Sequence, residues 1–175
     1  MDVVKQSNWD TLPNKVVIPN AEVIIKIHDK IIKYRIEELE KEDPISIRDQ
    51  GILDYLCIIL RDKMYKYKED QIENALYVAT ESFYQIACRH PFIEGNKTTA
   101  YVTSLTALEL NRTLNFNHIE STIASQIFEV NVHYAPKEAE EITKLAEGGE
   151  DEAKIKKLIK QFLEKYIKRN QNEKK

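Results

Sequence analysis

The stretch His90-Pro91-Phe92-Ile93-Glu94-Gly95-Asn96-Lys97-Thr98-Thr99-Ala100 concentrates the chain's chemistry. An imidazole can take up and release a proton near neutral pH. The carboxylate of Glu94 can hold a hard divalent cation. The Gly95-Asn96 pair suits a tight turn, and a helix-compatible run follows at once. A base, a metal-capable acid and a helix N-terminus this close together suit phosphate-group transfer.

Something must hold these residues in place, and the bulk properties bound what it is. The chain has 175 residues, enough for one domain around one main core. Apolar residues make up 42%, so a core can form, and 31% are charged, which suits a water-facing surface. Only four Gly and five Pro interrupt long, evenly spaced apolar runs, which favours an all-α domain over a β-sandwich. The net charge is −3 with scattered basic residues, which argues against a nucleic-acid partner. No apolar run approaches the roughly 18 residues needed to span a membrane, and no apolar segment follows Met1-Asp2-Val3-Val4-Lys5 as in a secretion signal. A cytoplasmic location is therefore expected. Cys57 and Cys88 sit in apolar helical runs and read as buried free thiols.

Periodicity and capping residues divide the chain into about seven helices. Residues 1 to about 18 show no period. Asn20 can cap a helix to about Leu39, with Val23, Ile24, Ile27 and Ile31 inward. Asp43-Pro44 breaks the pattern, and Ile45-Ser46-Ile47 alternates as a short extended segment. Asp49 can cap a second helix. Asp70 with Glu73 has the spacing of a capping box and opens a third, which must end near Arg89-His90 because Pro91 follows. Asn96 starts the helix that carries the chemistry. Asn117 with Glu120 predicts a helix through Val130. Pro136 opens another that stops at Gly148-Gly149, and the last helix carries Ile155 to Tyr166. The expected organisation is an N-terminal extension (1–19), one domain (20–167) and a polar tail (168–175).

The segment His90 to Lys97 resembles the signature of the Fic/Doc (Fido) family, His-x-Phe-x-Asp/Glu-Gly/Ala-Asn-Gly/Lys-Arg. Lys97 and the short chain are closest to the Doc, or death-on-curing, branch. Ser46 to Leu53 is similar to that branch's Gly-x-Arg-Asp-x-x-x-Leu segment, and Leu105 to Asn111 to its usual helix end. The resemblance extends over roughly residues 20 to 167. It implies a compact helical bundle with a short extended flap. It also implies transfer of AMP, or in the Doc branch a phosphoryl group, from ATP or another nucleoside triphosphate to a hydroxyl of a protein substrate. By the same resemblance His90 would be the general base and Glu94 would hold Mg²⁺. Gly95, Asn96, Lys97 and Thr98 would stand around the phosphates, Phe92 would anchor the loop in the core, and Ile45, Ser46 and Ile47 would form the target-aligning flap. Doc-like toxins are paired with a small antitoxin, which is then an expected partner.

Thr98 departs from the pattern, since the family carries Arg there. A hydroxyl cannot replace a planar, charged, multidentate donor, so a binding module with little catalysis is the alternative reading. Lys97 and Arg48 are the nearby cations available to stand in. Lying in a helical first turn, position 98 reads as a surface site, where Thr98→Arg should shift stability by less than about 0.5 kcal/mol and raise transfer about tenfold. Thr143-Lys144-Leu145-Ala146-Glu147-Gly148 matches the family's Ser/Thr-x-x-x-Glu-Gly/Asn inhibitory motif. The match is short, Gly148 already serves as a helix stop, and Thr98 and Tyr101 stand where arginine partners would be, so the inhibitory role is set aside. His28, His118 and His133 have no partner at ligand spacing and read as structural or surface residues.

Overall fold

A computed structural model describes residues 8–39, 46–66, 70–113 and 135–167. Among them are six α-helices: α1 (Ala21–Leu39), α2 (Gln50–Lys66), α3 (Gln71–Phe83), α4 (Asn96–Leu110), α5 (Lys137–Glu147) and α6 (Glu152–Glu164). A π-helical turn, Tyr84–Cys88, continues α3. The all-α expectation holds. The predicted helix from Asn117 to Val130, the breaker Asp43-Pro44, His118, His133 and the tail from Lys168 lie outside the described residues.

The helix starts follow the capping residues. Asn20 Oδ1 accepts from the Val23 amide at 2.9 Å, Asp49 from that of Gly51 at 2.9 Å, and Asp70 from that of Ile72 at 2.9 Å. The capping box at Asp70 is only half made, because Glu73 pairs with Lys160 at 2.9 Å. The end of α5 is a Schellman motif. Gly149 takes a left-handed φ of 84°, its amide bonds the Ala146 carbonyl at 3.1 Å, and the Glu150 amide bonds that of Leu145 at 3.1 Å.

Within the aperiodic N-terminus the described residues, from residue 8 on, form a hairpin. Strands β1 (Asp10–Thr11) and β2 (Val17–Ile18) form a small antiparallel pair. Trp9, Leu12, Val16, Val17 and Ile18 belong to the main core. The buried side chain of Asn111, at the end of α4, accepts from the Val17 amide at 3.0 Å and donates to its carbonyl at 2.9 Å, like one rung of a sheet. This pins the hairpin to the central helix.

That central helix is α4, packed by α1, α3, α5 and the π turn. Twelve of its residues, including Thr98 to Leu108, are buried. A helix covered all round has no polar face to show. Its buried polar residues are therefore small, and Ser104 returns its hydroxyl to the Ala79 carbonyl at 2.9 Å. Beyond it, Tyr101, Phe83, Phe162 and Tyr166 form an aromatic cluster with centroids 5.6–6.4 Å apart. Such a core holds the N-terminus of α4, where the signature ends, against rigid neighbours.

Candidate active site

The loop from His90 to Gly95 is tied down at nearly every residue. Asn96 clasps Phe92 from both sides, accepting from its amide at 2.9 Å and donating to its carbonyl at 2.8 Å. The Phe92 ring is fully buried and stacks on His28, with centroids 3.8 Å apart and planes 5° from parallel. Nε2–H of His28 donates to the Glu94 carbonyl at 3.0 Å. Gly95 has φ 76°, and a Cβ there would stand 3.1 Å from Ile32 Cδ1 and 3.5 Å from His28. Both the left-handed backbone and the close approach of α1 require glycine.

The outer side of the loop is bound by the segment before α2. Ile47 and Phe92 form an antiparallel bridge, and the Ile93 amide donates to the Ser46 carbonyl at 3.2 Å. The amides of Arg48 and Asp49 both reach the Pro91 carbonyl, at 2.7 and 3.0 Å. Ser46 and Ile47 are thus extended beside the signature, with Ile47 exposed. Ile45, the third residue of the expected flap, lies outside the described residues.

His90, Glu94, Gly95, Asn96, Lys97 and Thr98 line one cavity of about 310 Å³, together with Arg35 of α1 and Glu140 of α5. His90 has φ 54°. A left-handed conformation costs an L-residue about 1–2 kcal/mol, and here the clamped loop on one side and the π turn on the other hold it. Its Nε2 is 3.4 Å from Glu147 Oε1, which is also 4.0 Å from Lys97 Nζ. Arg35 Nη2 donates to Thr98 Oγ1 at 2.9 Å.

These contacts revise several sequence-based expectations. The Asn96 side chain is committed to Phe92, so only its backbone amide, at the start of α4, faces an incoming anion. Thr98 is not a surface position. It is 2% exposed and already bonded to Arg35, so an arginine introduced there meets a resident guanidinium. The surface premise behind the small stability change expected of Thr98→Arg therefore fails. Arg48 meets the loop through its backbone and is not part of the cavity lining. The Glu147 carboxylate does find basic partners, His90 and Lys97, in place of the arginines whose absence had spoken against it. The thiols of Cys57 and Cys88 are half-buried rather than fully buried, and burial pushes them up to about 11 and about 12. Neither ionises readily enough to act as a nucleophile.

Sequence reasoning missed Arg35, Glu140 and the part His28 plays beneath the loop. A signal existed for two of them. His28, Ile32 and Arg35 follow at i, i+4 and i+7, so one face of α1 reaches Glu94, Gly95 and Thr98 in turn. Two long polar residues on an otherwise apolar stripe mark a helix face that serves a site.

Burial lowers the pKa of His28 below the ordinary 6.5, and nearby Arg35 acts the same way; the Glu94 carbonyl and Asp29 pull it back up only in part. The folded protein therefore resists a proton that the unfolded chain accepts. Above about pH 6.5 both states are neutral and stability is unaffected. As pH falls through that value towards the lower folded pKa, stability declines. His28→Gln keeps an N–H donor and removes the titration. Its melting temperature is expected to fall less steeply than the wild type's between pH 7 and 5, measured by circular dichroism. Parallel slopes would show that other groups carry the acid sensitivity.

A model of the Fic/DOC family matches residues 19–108, more than half of the 175-residue chain. The chain belongs to the Fic/DOC family. No curated protein and no solved structure matches it. The match covers β2-proximal Pro19 through most of α4, hence every cavity residue except Glu140, and it does not separate the Fic and Doc branches. Membership suggests a transferase-type function for this Fic/DOC protein in general terms. Among the described residues no helix is long and apolar enough to cross a membrane.

Proposed function

We infer that this Fic/DOC protein is a Doc-like transferase that moves an AMP or phosphoryl group from a nucleoside triphosphate, ATP in the first instance, to a hydroxyl of a target protein. The observation that carries this reading is the single polar cavity that joins His90, Glu94, Lys97 and the N-terminus of α4. The first amides of a helix have no partner within it, and with the helix dipole they favour phosphate oxygens. Lys97 adds a positive charge beside them. Among the described residues no three His, Cys, Asp or Glu side chains cluster to cage a metal ion. One carboxylate, Glu94, fits Mg²⁺ held jointly by protein and phosphate oxygens. When bound, Mg²⁺ would neutralise phosphate charge.

His90 Nε2 takes the proton of the target hydroxyl as the oxygen attacks phosphorus. Attack at the α-phosphorus expels pyrophosphate and leaves AMP on the target. Attack at the γ-phosphorus expels ADP and leaves a phosphoryl group. Ser46 and Ile47 use one strand edge on the signature loop, and the opposite edge suits an extended target segment. Under this reading a small antitoxin is the natural partner, and co-purification from the native host is its test.

A second reading, binding without transfer, is favoured by Thr98, which brings no charge to α4. Incubation with α-labelled and γ-labelled ATP and a cell lysate separates the two. Transfer of α-label indicates AMPylation, and transfer of γ-label alone indicates phosphorylation. Mg-dependent ATP binding with no label transferred, even when Glu147 is replaced by alanine, would favour the binding module and remove the transferase reading.

A further inference from the structure

Arg35 is far in sequence from the signature, yet it borders the same cavity as His90, Glu94 and Lys97. Its Nη2 donates to Thr98 Oγ1 at 2.9 Å, which fixes the guanidinium against the first turn of α4. We propose that Arg35 is the phosphate-gripping arginine of this site, a guanidinium delivered by α1 to a place where α4 offers only a hydroxyl. This deepens the nucleotide-transfer reading and rests on it.

Three observations carry the inference. The first is placement. Arg35 ends the face of α1 that also supports the Glu94 carbonyl through His28 and Gly95 through Ile32. The helix that shapes the loop therefore aims the guanidinium too, and a shift of one would shift the other. The second is the use made of Thr98. Buried and bonded to Arg35, its hydroxyl orients a cation that comes from elsewhere. The planar fork of a guanidinium matches phosphate oxygens two at a time, which neither a hydroxyl nor the point charge of Lys97 can do.

The third is charge. Arg35 and Lys97 line the cavity together with Glu94 and Glu140, and Glu147 stands 4.0 Å from Lys97, so the side-chain carboxylates at least balance the cations. A balanced wall has little attraction for a bare anion. It suits a polyphosphate that brings its own divalent cation for a carboxylate while presenting oxygens to the arginine. The preferred ligand is thus a magnesium–nucleoside triphosphate complex rather than free phosphate.

Calorimetric titration of the full chain with MgATP tests the assignment. Arg35→Ala should weaken MgATP binding at least tenfold. Arg35→Lys, which keeps the charge and the alkyl stem, should still lose several-fold, and it decides the matter if Arg35→Ala fails to fold. The double variant Arg35→Ala/Thr98→Arg should regain most of the lost affinity, because the new guanidinium enters the space that Arg35 vacates. Thr98→Arg alone should not exceed wild type. Wild-type binding to inorganic phosphate, with or without Mg²⁺, should be at least tenfold weaker than to MgATP. Unchanged MgATP affinity in folded Arg35→Ala or Arg35→Lys would overturn the role of Arg35 and leave the transferase reading standing. So would a double variant no better than Arg35→Ala. A folded wild type that binds no MgATP would overturn both.

Discussion

His90→Ala is expected to lower label transfer by about 10²- to 10⁴-fold, the usual worth of a positioned general base, while MgATP binding stays within about twofold. The split follows from where the residue stands. Its imidazole is partly exposed and touches Glu147, whereas the phosphate-facing elements belong to α4, Lys97 and Arg35. Alanine adopts the left-handed backbone of position 90 somewhat less readily than histidine does, so a little strain is introduced. The melting temperature should therefore fall only slightly. Equal labelling by wild type and variant would remove His90 from the chemistry. A parallel loss of binding and transfer would make it a binding residue instead.

Glu147→Ala is expected to raise transfer about two- to thirtyfold. A base must present Nε2 to the hydroxyl it deprotonates, and Glu147 Oε1 stands 3.4 Å from that atom while also facing Lys97 at 4.0 Å. Both partners are half-exposed, and such pairs contribute roughly 0.2–1 kcal/mol each. Displacing the carboxylate from two partners then costs about 0.4–2 kcal/mol, which sets the expected gain in rate. The Schellman turn at Gly149 fixes the end of α5 without help from the Glu147 side chain, so the helix should keep its stability. Glu147→Gln should show a smaller gain, since it retains the bulk and loses the charge. A fall in rate for both variants would mean that the carboxylate orients the imidazole rather than occupying its place.

Much of this arrangement was legible because it rests on local rules. Asn20, Asp49 and Asp70 announce three helix starts through side chains that satisfy nearby amides, and Gly148-Gly149 announces a stop. The signature itself is local, since Asn96 closes on Phe92 four residues away. What escaped was long-range or aperiodic. The two-residue strands around Leu12 to Val16 are too short to show alternation, and β2 is pinned by Asn111, over 90 residues away. Arg35 lies 63 positions from Thr98, and nothing in the spacing of α4 points back to it. Glu147 was visible as a pattern. Its motif is short and its Gly148 also reads as a helix stop, and no arginine of α4 stands at partner spacing, whereas the fold supplies a histidine and a lysine.

The π turn at Tyr84–Cys88 has a consequence for how this segment tolerates insertion and deletion. Its bonds reach one residue further than those of an α-helix, so it accommodates one extra residue within a continuous helical rod. Each residue of an α-helix advances the chain by about 100° around the axis. A single deletion between Tyr84 and Cys88 would let the turn tighten to α geometry and leave the exit at Arg89 near its present phase, whereas a deletion within α3, with the turn kept, would rotate that exit by about that angle. His90 would then leave the rod facing a different wall of the bundle, with every residue of the signature unchanged. The phase of this rod, set by a count of residues, therefore constrains the site as strictly as the identities of His90 and Glu94.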